Sequence, residues 1–368
     1  MTHSAEPDVA QQTAISEDEI ALYDRQIRLW GMQAQEKIRR ANILLVTLRA
    51  LGSEIAKNLV LAGISSLTVL DANIVSEADF GAGFFLSQAT GGEAATSAEG
   101  RGRAEVACPA IQKLNPRVRV RADTGALADK DAAYFGGFDV VIATDLEAGD
   151  MTRINEATRS AGKKFYAAGC HGTYGFIFAD LVSHTYVIQR DSANVTTKTG
   201  RETATRTVVD VRTRKDGPRV VETVTKREEY TPFDKACLSA PLPADYAKSK
   251  RRLRAVSPIL SCLRAAWSLP SLPDPSSRAD QETFTRSVME KHAELGLPPE
   301  TLTPEVIRLF LQGVGAEIAP VAAILGGQVA QDVINVLGQT QQPIQNTVVF
   351  DGGSMDAGVY ALHSGLGD

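Results

Sequence analysis

The chain has 368 residues, a formal net charge of −5, 43% hydrophobic residues and 23% charged residues. These values are ordinary for a folded globular protein, and the length predicts about two domains. The acidic balance argues against broad nucleic-acid or membrane-surface binding, because both favour basic surfaces. The chain has no run of 18 apolar residues, and residues 1–15 lack the basic start and apolar stretch of a signal peptide. We therefore expect an intracellular protein that binds neither nucleic acid nor a membrane.

The four cysteines are scattered along the chain without a Cys-x-x-Cys pair. A structural zinc site needs ligands in closely spaced pairs, so the sequence predicts no metal site. A disulfide framework is equally disfavoured in a long chain without a secretory signal. We expect reduced, mostly buried thiols at Cys108, Cys170, Cys237 and Cys262.

The first part of the chain predicts alternating helices and strands. Residues 1–15 are predicted to be a disordered lead, and SEDE at 16–19 forms a capping box that should start a helix. The apolar run at 41–48 predicts a buried strand, and the helical spacing that follows it stops at Gly63. A second strand is predicted at 67–71. Such a strand–helix–strand unit implies a parallel sheet with a right-handed crossover.

The same pattern continues to residue 182. The small, polar segment 87–102 predicts a mobile loop, and the helix after it should end at Asn115-Pro116. A further helix is predicted around 150–161. Strands are predicted at 138–144, 163–168 and 176–182.

The character of the sequence changes between 183 and 300. Period-two alternation at 207–225 around Asp216-Gly217 predicts a hairpin, and 268–280 is a Pro/Ser-rich linker. After 303, a helix should run from Pro320 to Leu337 with Gly338 as its cap, and 347–353 predicts a strand. The predicted fold class is α/β, with a Rossmann-like, mostly parallel sheet and helices on both faces. The predicted domains are a disordered lead at 1–15, a discontinuous domain at 16–182 and 301–368, and a smaller insertion at 183–300 with a hairpin and helices.

The nucleotide-binding motif that this fold usually carries is degraded. A dinucleotide-binding turn reads Gly-x-Gly-x-x-Gly, because the first two glycines let the backbone approach phosphate and the third lets helix and strand pack closely. The corresponding stretch reads TLRALG at 47–52, so that only the packing glycine, Gly52, remains. Side chains at Thr47 and Arg49 are predicted to fill the space that a phosphate needs.

Five separated blocks occur in order along the chain: YDRQIRLWG (23–31), IAKNLVLAGISSLTVLD (55–71), GRAE with LNP (102–116), APVAAILGGQVAQDVIN (319–335) and FDG (350–352). Together they resemble the activating enzymes of ubiquitin-like modifiers, which have a ThiF/MoeB-type adenylation fold. A full adenylation half of that family has an intact glycine turn. This chain therefore resembles the inactive partner half, which binds no nucleotide cofactor by itself.

Other departures from a full half agree with this interpretation. The resemblance implies an Asp-x-Asp pair for ribose, whereas this chain keeps Asp71 but has Asn73 in the second place. A family magnesium-binding Asp matches Asp145, but the Asn and Arg that should follow are absent. Arg103 stands where a full half has a phosphate-binding Lys, and we interpret it as structural. Zinc knuckles and a thioester cysteine domain are absent as well.

The length and the modest insertion resemble the SUMO-type inactive subunit. The resemblance implies a heterodimer with the thioester-bearing subunit, which binds ATP and Mg²⁺, adenylates the SUMO C-terminus and then forms a thioester. Within YDRQIRLWG, the resemblance implies that Arg25 reaches in trans into the ATP site of the partner. A guanidinium suits this role because its planar fork pairs phosphate oxygens bidentately. The alternative is a surface arginine paired with Asp24 or Glu19.

Several residues have ordinary structural interpretations. Gly326-Gly327 inside a predicted helix suggests close approach of another backbone, with a helix break as the alternative. Cys170-His171 could form a nucleophile and base, but adjacent residues rarely face each other productively. The basic cluster at 248–254 is a solvated helix face by default, with a nuclear-import signal as the alternative. The implied location is the nucleus, and the cytoplasm is left open.

Two rival functions remain open at the level of sequence. A self-sufficient adenylyltransferase of the sulfur-carrier type would need a working glycine turn, which this chain lacks. A pure scaffold, in which even Arg25 is idle, would need no such turn. A nicotinamide-dependent oxidoreductase is disfavoured because it needs the same lost glycines.

Overall fold

A computed structural model describes residues 15–89, 99–191, 197–217 and 219–364. Residues 1–14 of the predicted lead and 90–98 of the predicted loop lie outside the described residues. Part of the predicted loop is wrong, because its first residues belong to a helix, Phe84–Ala89. Phe85 and Leu86 hold that helix in the core, where both are almost fully buried.

The described residues form two β-sheets surrounded by helices. The strands are β1 (Asn42–Val46), β2 (Ser66–Leu70), β3 (Arg119–Asp123), β4 (Val140–Thr144), β5 (Lys164–His171), β6 (Tyr174–Asp180), β7 (Ser183–Asp191), β8 (Gly200–Arg201), β9 (Arg206–Asp216), β10 (Arg219–Glu229), β11 (Thr347–Asp351) and β12 (Asp356–Tyr360). The helices are α1 (Glu17–Leu22), α2 (Asp24–Trp30), α3 (Met32–Ile38), α4 (Ala50–Ala62), α5 (Phe84–Ala89), α6 (Arg103–Leu114), α7 (Ala132–Gly136), α8 (Ala148–Ser160), α9 (Ala244–Ala247), α10 (Lys250–Arg254), α11 (Ile259–Ser268), α12 (Arg278–Glu294), α13 (Pro304–Gly313) and α14 (Ala319–Gly338). Shorter helical segments lie at Glu77–Phe80, Leu127–Asp129, Asp234–Ser239 and Pro299–Thr301.

The larger sheet has the strand order β12-β11-β6-β5-β4-β1-β2-β3. Strands β1 to β5 are mutually parallel, whereas β6 pairs antiparallel with β5, β11 with β6 and β12 with β11. This arrangement confirms the predicted Rossmann-like, mostly parallel sheet. The chain reverses its direction of winding between β1 and β4, and ligands of such sheets bind outside the carboxyl ends of the strands at this point.

Helices cover both faces of the larger sheet. In β1, Ile43 and Leu45 pack in one core with α4 and α14, whereas Leu44 and Val46 pack in a second core with α8 and α11. The alternation follows from the two-residue period of a strand, and burial on both faces explains why β1 is an unbroken apolar run.

The second sheet confirms the predicted hairpin. Its order is β7-β10-β9-β8, and Arg219 of β10 pairs with Asp216 of β9 across the turn. Helices α11 and α12, from the same stretch of sequence, share a core with β1, β4 and β5 of the larger sheet. The division of the chain at residues 182 and 300 stays a prediction.

Most predicted helix ends agree with the structure. Ser16 and Glu19 form the reciprocal capping-box hydrogen bonds, and Asn115 ends α6. Gly63 caps α4 with a positive φ of 81°, which favours glycine. The predicted cap of α14 is wrong by one residue, because Gly338 is still helical and Gln339 is the left-handed cap with a φ of 58°.

Helix α14 is long and apolar enough to cross a membrane by length and composition alone. However, 61% of its most apolar 18-residue window is buried inside the fold. It packs along α4 in the core that covers one face of the larger sheet. We therefore interpret α14 as a core helix.

The two adjacent glycines of α14 have different surroundings. A Cβ added to Gly326 would lie 2.6 Å from the Glu54 Cβ and 3.3 Å from the Ile55 backbone nitrogen. A Cβ added to Gly327 would meet no atom within 4 Å. The close backbone approach predicted from the sequence is therefore confirmed, and Gly326 alone provides it.

This difference predicts opposite effects on stability. Gly326→Ala should lower the free energy of unfolding by about 1–3 kcal/mol, because α4 and α14 must move apart. Gly327→Ala is the matched control and should be neutral or stabilising by up to about 1 kcal/mol, because alanine favours the helix. Chemical denaturation of both variants measures the change, and equal effects would contradict the packing argument.

Candidate functional site

The first part of the candidate site is the turn between β1 and α4, where a nucleotide phosphate would sit. Thr47 adopts a φ of 71°, and the Thr144 hydroxyl donates to its carbonyl oxygen at 2.9 Å. A Cβ on Gly52 would lie 2.5 Å from the same carbonyl oxygen, so the close packing that this glycine was predicted to allow is confirmed. The backbone thus makes the tight turn without the two phosphate-facing glycines.

A carboxylate from this chain occupies the N-terminus of α4. The backbone N–H groups of Ala50 and Leu51 donate to the Glu317 carboxylate at 3.0 and 2.8 Å. Arg49 forms an ion pair with it at 3.2 Å and also donates to the Gly315 carbonyl oxygen at 3.3 Å. A helix N-terminus favours an anion because its first N–H groups lack partners and its dipole is positive. The Glu317 carboxylate therefore takes the place that a phosphate would need.

The acid that would hold a ribose is also occupied. Asp71 is buried, and its Oδ2 accepts hydrogen bonds from the Leu48 N–H at 2.9 Å and from Arg103 at 3.0 Å. Its Oδ1 accepts from the Asn73 backbone and side chain. Arg103 also pairs with Asp79 at 3.2 Å. These contacts agree with the structural role predicted for Arg103. Both carboxylate oxygens of Asp71 are engaged in hydrogen bonds with groups of this chain.

Asp145 lies beside the Cys170-His171 pair. Burial, then the charge of Glu317, raises the pKa of the Asp145 carboxyl to about 8, so the group is mostly protonated at neutral pH. Its Oδ1 accepts from the Cys170 N–H at 3.0 Å. Burial lowers the pKa of His171 to about 4 and raises that of the Cys170 thiol. A neutral histidine beside a protonated thiol supplies no thiolate nucleophile.

The second part of the candidate site is the exposed helix that carries Arg25. Within the described ranges, the Arg25 guanidinium has neither an ion pair nor a hydrogen bond. Asp24 pairs instead with Arg28 at 2.9 Å, and Glu19 lies 3.8 Å from the nearest arginine nitrogens of Arg39 and Arg117. The two carboxylates that could have paired with Arg25 are thus engaged elsewhere.

The structure does not bring Arg25 together with the turn after β1. Gln26, next to Arg25, donates to the Leu61 carbonyl oxygen at the C-terminal end of α4. The turn lies at the other end of this 13-residue helix. At 1.5 Å per residue, the two ends of α4 are about 20 Å apart. Arg25 therefore sits away from the turn after β1, where a phosphate would be expected.

Apolar side chains are exposed near Arg25. Leu29 lies one helical turn further along α2 and is 75% exposed, and Leu22 and Met32 are 58% and 37% exposed. Ile27 and Trp30 are partly buried. Exposed apolar side chains are stabilised when a protein partner removes them from water.

Sequence reasoning missed Glu317 and Gln26. Glu317 lies 266 positions from Leu51, and no local pattern links a loop residue to a helix that distant. One signal was available for both: each lies inside or just before a block that carries the family resemblance, at 23–31 and 319–335. The structure places the Glu317 carboxylate, with Arg49 beside it, at the N-terminus of α4, and the filling expected from the Thr47 and Arg49 side chains stays a prediction.

The fold and the strand-to-helix turn define a protein of the Rossmann-like α/β class in which a carboxylate of the same chain occupies the phosphate position. The sequence pattern of the ThiF family matches residues 23–363, and the chain belongs to that family.

Curated relatives are similar over nearly their whole length. DNA damage tolerance protein RHC31 of Saccharomyces cerevisiae is 36% identical, over 93% of this chain and 96% of the relative. DNA damage tolerance protein rad31 of Schizosaccharomyces pombe is 34% identical, over 95% and 98%. SUMO-activating enzyme subunit 1 of Homo sapiens is 32% identical, over 92% and 93%.

The closed phosphate position predicts that the isolated chain does not bind ATP at micromolar concentrations. Nucleotide phosphates would have to displace the Glu317 carboxylate from the N–H groups of Ala50 and Leu51. Calorimetric titration of the purified chain with ATP and Mg²⁺ measures this, with an ATP-binding ThiF-family protein as the positive control. A micromolar dissociation constant would show that the site is open.

The raised pKa of Asp145 predicts a pH dependence of stability. The folded carboxyl keeps its proton between about pH 4 and pH 8, whereas the unfolded carboxyl loses it near pH 4. Unfolding therefore releases a proton in this window, and Asp145 makes the free energy of unfolding fall as pH rises.

Asp145→Asn should remove this contribution and flatten the decline between pH 5 and pH 8. Asparagine tolerates the positive φ of 53° at this position. Denaturation at several pH values compares the slopes of the two proteins. Asp24→Asn, on an exposed helix, is the control and should leave the slope as in the natural protein.

Proposed function

We propose that this chain is the non-thioester subunit of a heterodimeric SUMO-activating enzyme and that Arg25 acts in trans on ATP in the partner. The observation that carries the proposal is the contrast between a closed phosphate position and an exposed, unpaired Arg25 within the described residues. The names of similar proteins, which include SUMO-activating enzyme subunit 1, supply the modifier.

In the proposed reaction, the partner subunit binds ATP and Mg²⁺. The C-terminal carboxylate of SUMO attacks the α-phosphorus of ATP, and the bond to pyrophosphate breaks to give an acyl-adenylate. A cysteine thiolate of the partner then attacks the acyl carbon and releases AMP. Arg25 contributes positive charge to the ATP phosphates while negative charge moves onto the leaving pyrophosphate.

Physical chemistry supports an arginine in this place. Its guanidinium is always charged and can donate two parallel hydrogen bonds to phosphate oxygens. The exposed apolar residues Leu22, Leu29 and Met32 near Arg25 would be covered by the partner, and exclusion of water would strengthen its interaction with phosphate. We expect the whole interface to bury about 2,000 Å² or more, as permanent complexes do.

The rival functions are weighed by the same observations. A self-sufficient adenylyltransferase would need the position that Glu317 occupies. A pure scaffold is compatible with Glu317 at the phosphate position, and the activity of an Arg25 variant separates it from the proposed function.

A nuclear location is a further part of the proposal. Residues Lys250–Arg254 form a short helix in the basic cluster, and most of its side chains are exposed. Arg254 pairs with Glu300 at 3.0 Å, and Lys248 with Asp245 at 2.7 Å. An exposed basic segment fits either a solvated surface or an import signal, and cell imaging of a tagged variant without these charges separates the two.

Arg25→Ala should slow adenylation without dissolving the heterodimer. We expect ATP–pyrophosphate exchange by the assembled complex to fall about 10–10³-fold, or roughly 1.4–4 kcal/mol of barrier. Arg25→Lys should recover only part of the rate, because an ammonium cannot pair two oxygens in one plane.

Arg278→Ala is the matched control. Arg278 is exposed on α12 and pairs with Glu282 at 2.9 Å, so its loss removes the same charge without freeing a carboxylate next to Arg25. Its exchange rate should stay close to that of the natural protein. Unchanged exchange with Arg25→Ala, in a complex of normal size by sedimentation, would leave this chain as a scaffold.

A further inference from the structure

The C-terminal end of α4 is capped by three side-chain amides. The last carbonyl groups of a helix have no partners within it. Here the carbonyl oxygens of Val60, Leu61 and Ala62 accept hydrogen bonds at 3.0, 3.1 and 3.0 Å. The donors are the amides of Asn115, Gln26 and Gln35, respectively, and we call these three residues the amide clamp.

The amide clamp ties the helix that carries Arg25 to α4. Gln26 is the next residue after Arg25, and the Gln35 amide oxygen accepts a hydrogen bond from the Trp30 indole at 2.8 Å. Asn115 also donates to the Tyr23 hydroxyl at 2.8 Å. The start, the middle and the end of the segment 23–30 are therefore all attached to the same helix end.

Tyr23 adds a close contact at this end of α4. It is buried, and a Cβ added to Gly63 would lie 2.5 Å from its hydroxyl. Gly63 therefore has two roles: it caps α4, and its lack of a side chain leaves room for the Tyr23 ring. The contact between them fixes how closely α2 approaches α4.

The hydrogen bond from Gln26 matters more for the orientation of α2 than for the stability of the fold. A neutral hydrogen bond contributes about 1 kcal/mol net, and a buried unpaired polar atom costs a similar amount or more. The Gln26 Oε1 is buried and lacks a hydrogen-bond partner within the described residues. Helix α2 has only seven residues, and so short a helix depends on tertiary contacts to hold its orientation.

We propose that Gln26, as part of the amide clamp, is a positioning residue. Its hydrogen bond to α4 fixes the direction in which the Arg25 side chain points away from the protein surface. The Gln26 contact to Leu61 keeps one side of α2 against α4 and turns Arg25 and Leu29 outward. This inference rests on the proposed function, because an arginine that acts across an interface must be held in place before the partner's phosphates arrive.

The first test is Gln26→Met in the assembled heterodimer. Methionine matches the length of glutamine but cannot donate to the Leu61 carbonyl oxygen. We expect ATP–pyrophosphate exchange at saturating ATP to fall about 3–30-fold. Gln331→Met is the control, because Gln331 is an exposed amide on α14 far from the clamp in sequence, and its exchange should be unchanged.

A double variant distinguishes positioning from a general structural effect. If Gln26 acts through Arg25, Gln26→Met should slow exchange in the natural background and add nothing to Arg25→Ala. Equal slowing in both backgrounds would overturn the proposal, and so would full activity of Gln26→Met. If the Gln26→Met variant does not assemble with the partner, Gln26→Ala replaces it, because alanine leaves room for a water at the Leu61 carbonyl. Its exchange rate is measured in both backgrounds and interpreted in the same way.

The proposed function fails separately from this inference. Unchanged exchange with Arg25→Ala would refute the role of Arg25 itself. Slow exchange with Arg25→Ala but normal exchange with Gln26→Met would refute only the positioning role of the clamp.

Discussion

The contact between the Glu317 carboxylate and the first N–H groups of α4 determines whether this chain can hold a phosphate at its own strand-to-helix turn. It satisfies helix donors that would otherwise lack partners, and it places a negative charge at the positive end of the helix dipole. The carboxylate is almost fully buried, and burial of an ion is costly by several kcal/mol. Two charge-assisted hydrogen bonds of about 1.5–3 kcal/mol each, together with Arg49, are of the right size to offset that cost. The carboxylate at the N-terminus of α4 is therefore a stable arrangement of this chain's own groups.

The two ends of α4 make different kinds of contact. At the N-terminal end, Arg49 and Glu317 lie in the place where an intact glycine turn would let a phosphate bind. At the C-terminal end, the amide clamp seats the segment that carries Arg25. Gly326 lets α14 approach the middle of the same helix closely. Helix α4 thus connects a closed site to the surface that the proposed function uses.

The sequence predicted the features that depend on local pattern. The capping box at 16–19, the β1–α4–β2 unit and the hairpin at Asp216-Gly217 each follow from neighbouring residues, and each is observed. The prediction failed where a tertiary contact decides. Phe85 and Leu86 pull residues expected in a loop into a helix, and α14 continues one residue beyond its expected cap. The loss of the phosphate site could be predicted from Thr47 and Arg49, but its occupation by Glu317 could not. No sequence rule pairs a loop carboxylate with a helix 266 positions away.

The surface around Arg25 combines two features that conflict in a free subunit. An unpaired guanidinium favours water, whereas Leu29 beside it favours burial. A partner surface that covered Leu29 would also remove water from Arg25, and the cation would then need an anion within reach. ATP phosphates in the proposed partner site would supply that anion. Burial of Leu29 and pairing of Arg25 with an anion are both possible only if the apolar contact surface and the ATP phosphates lie on the same face of the partner. The neighbouring charges are consistent with this geometry, because Asp24 and Glu19 are engaged with other arginines and leave Arg25 available.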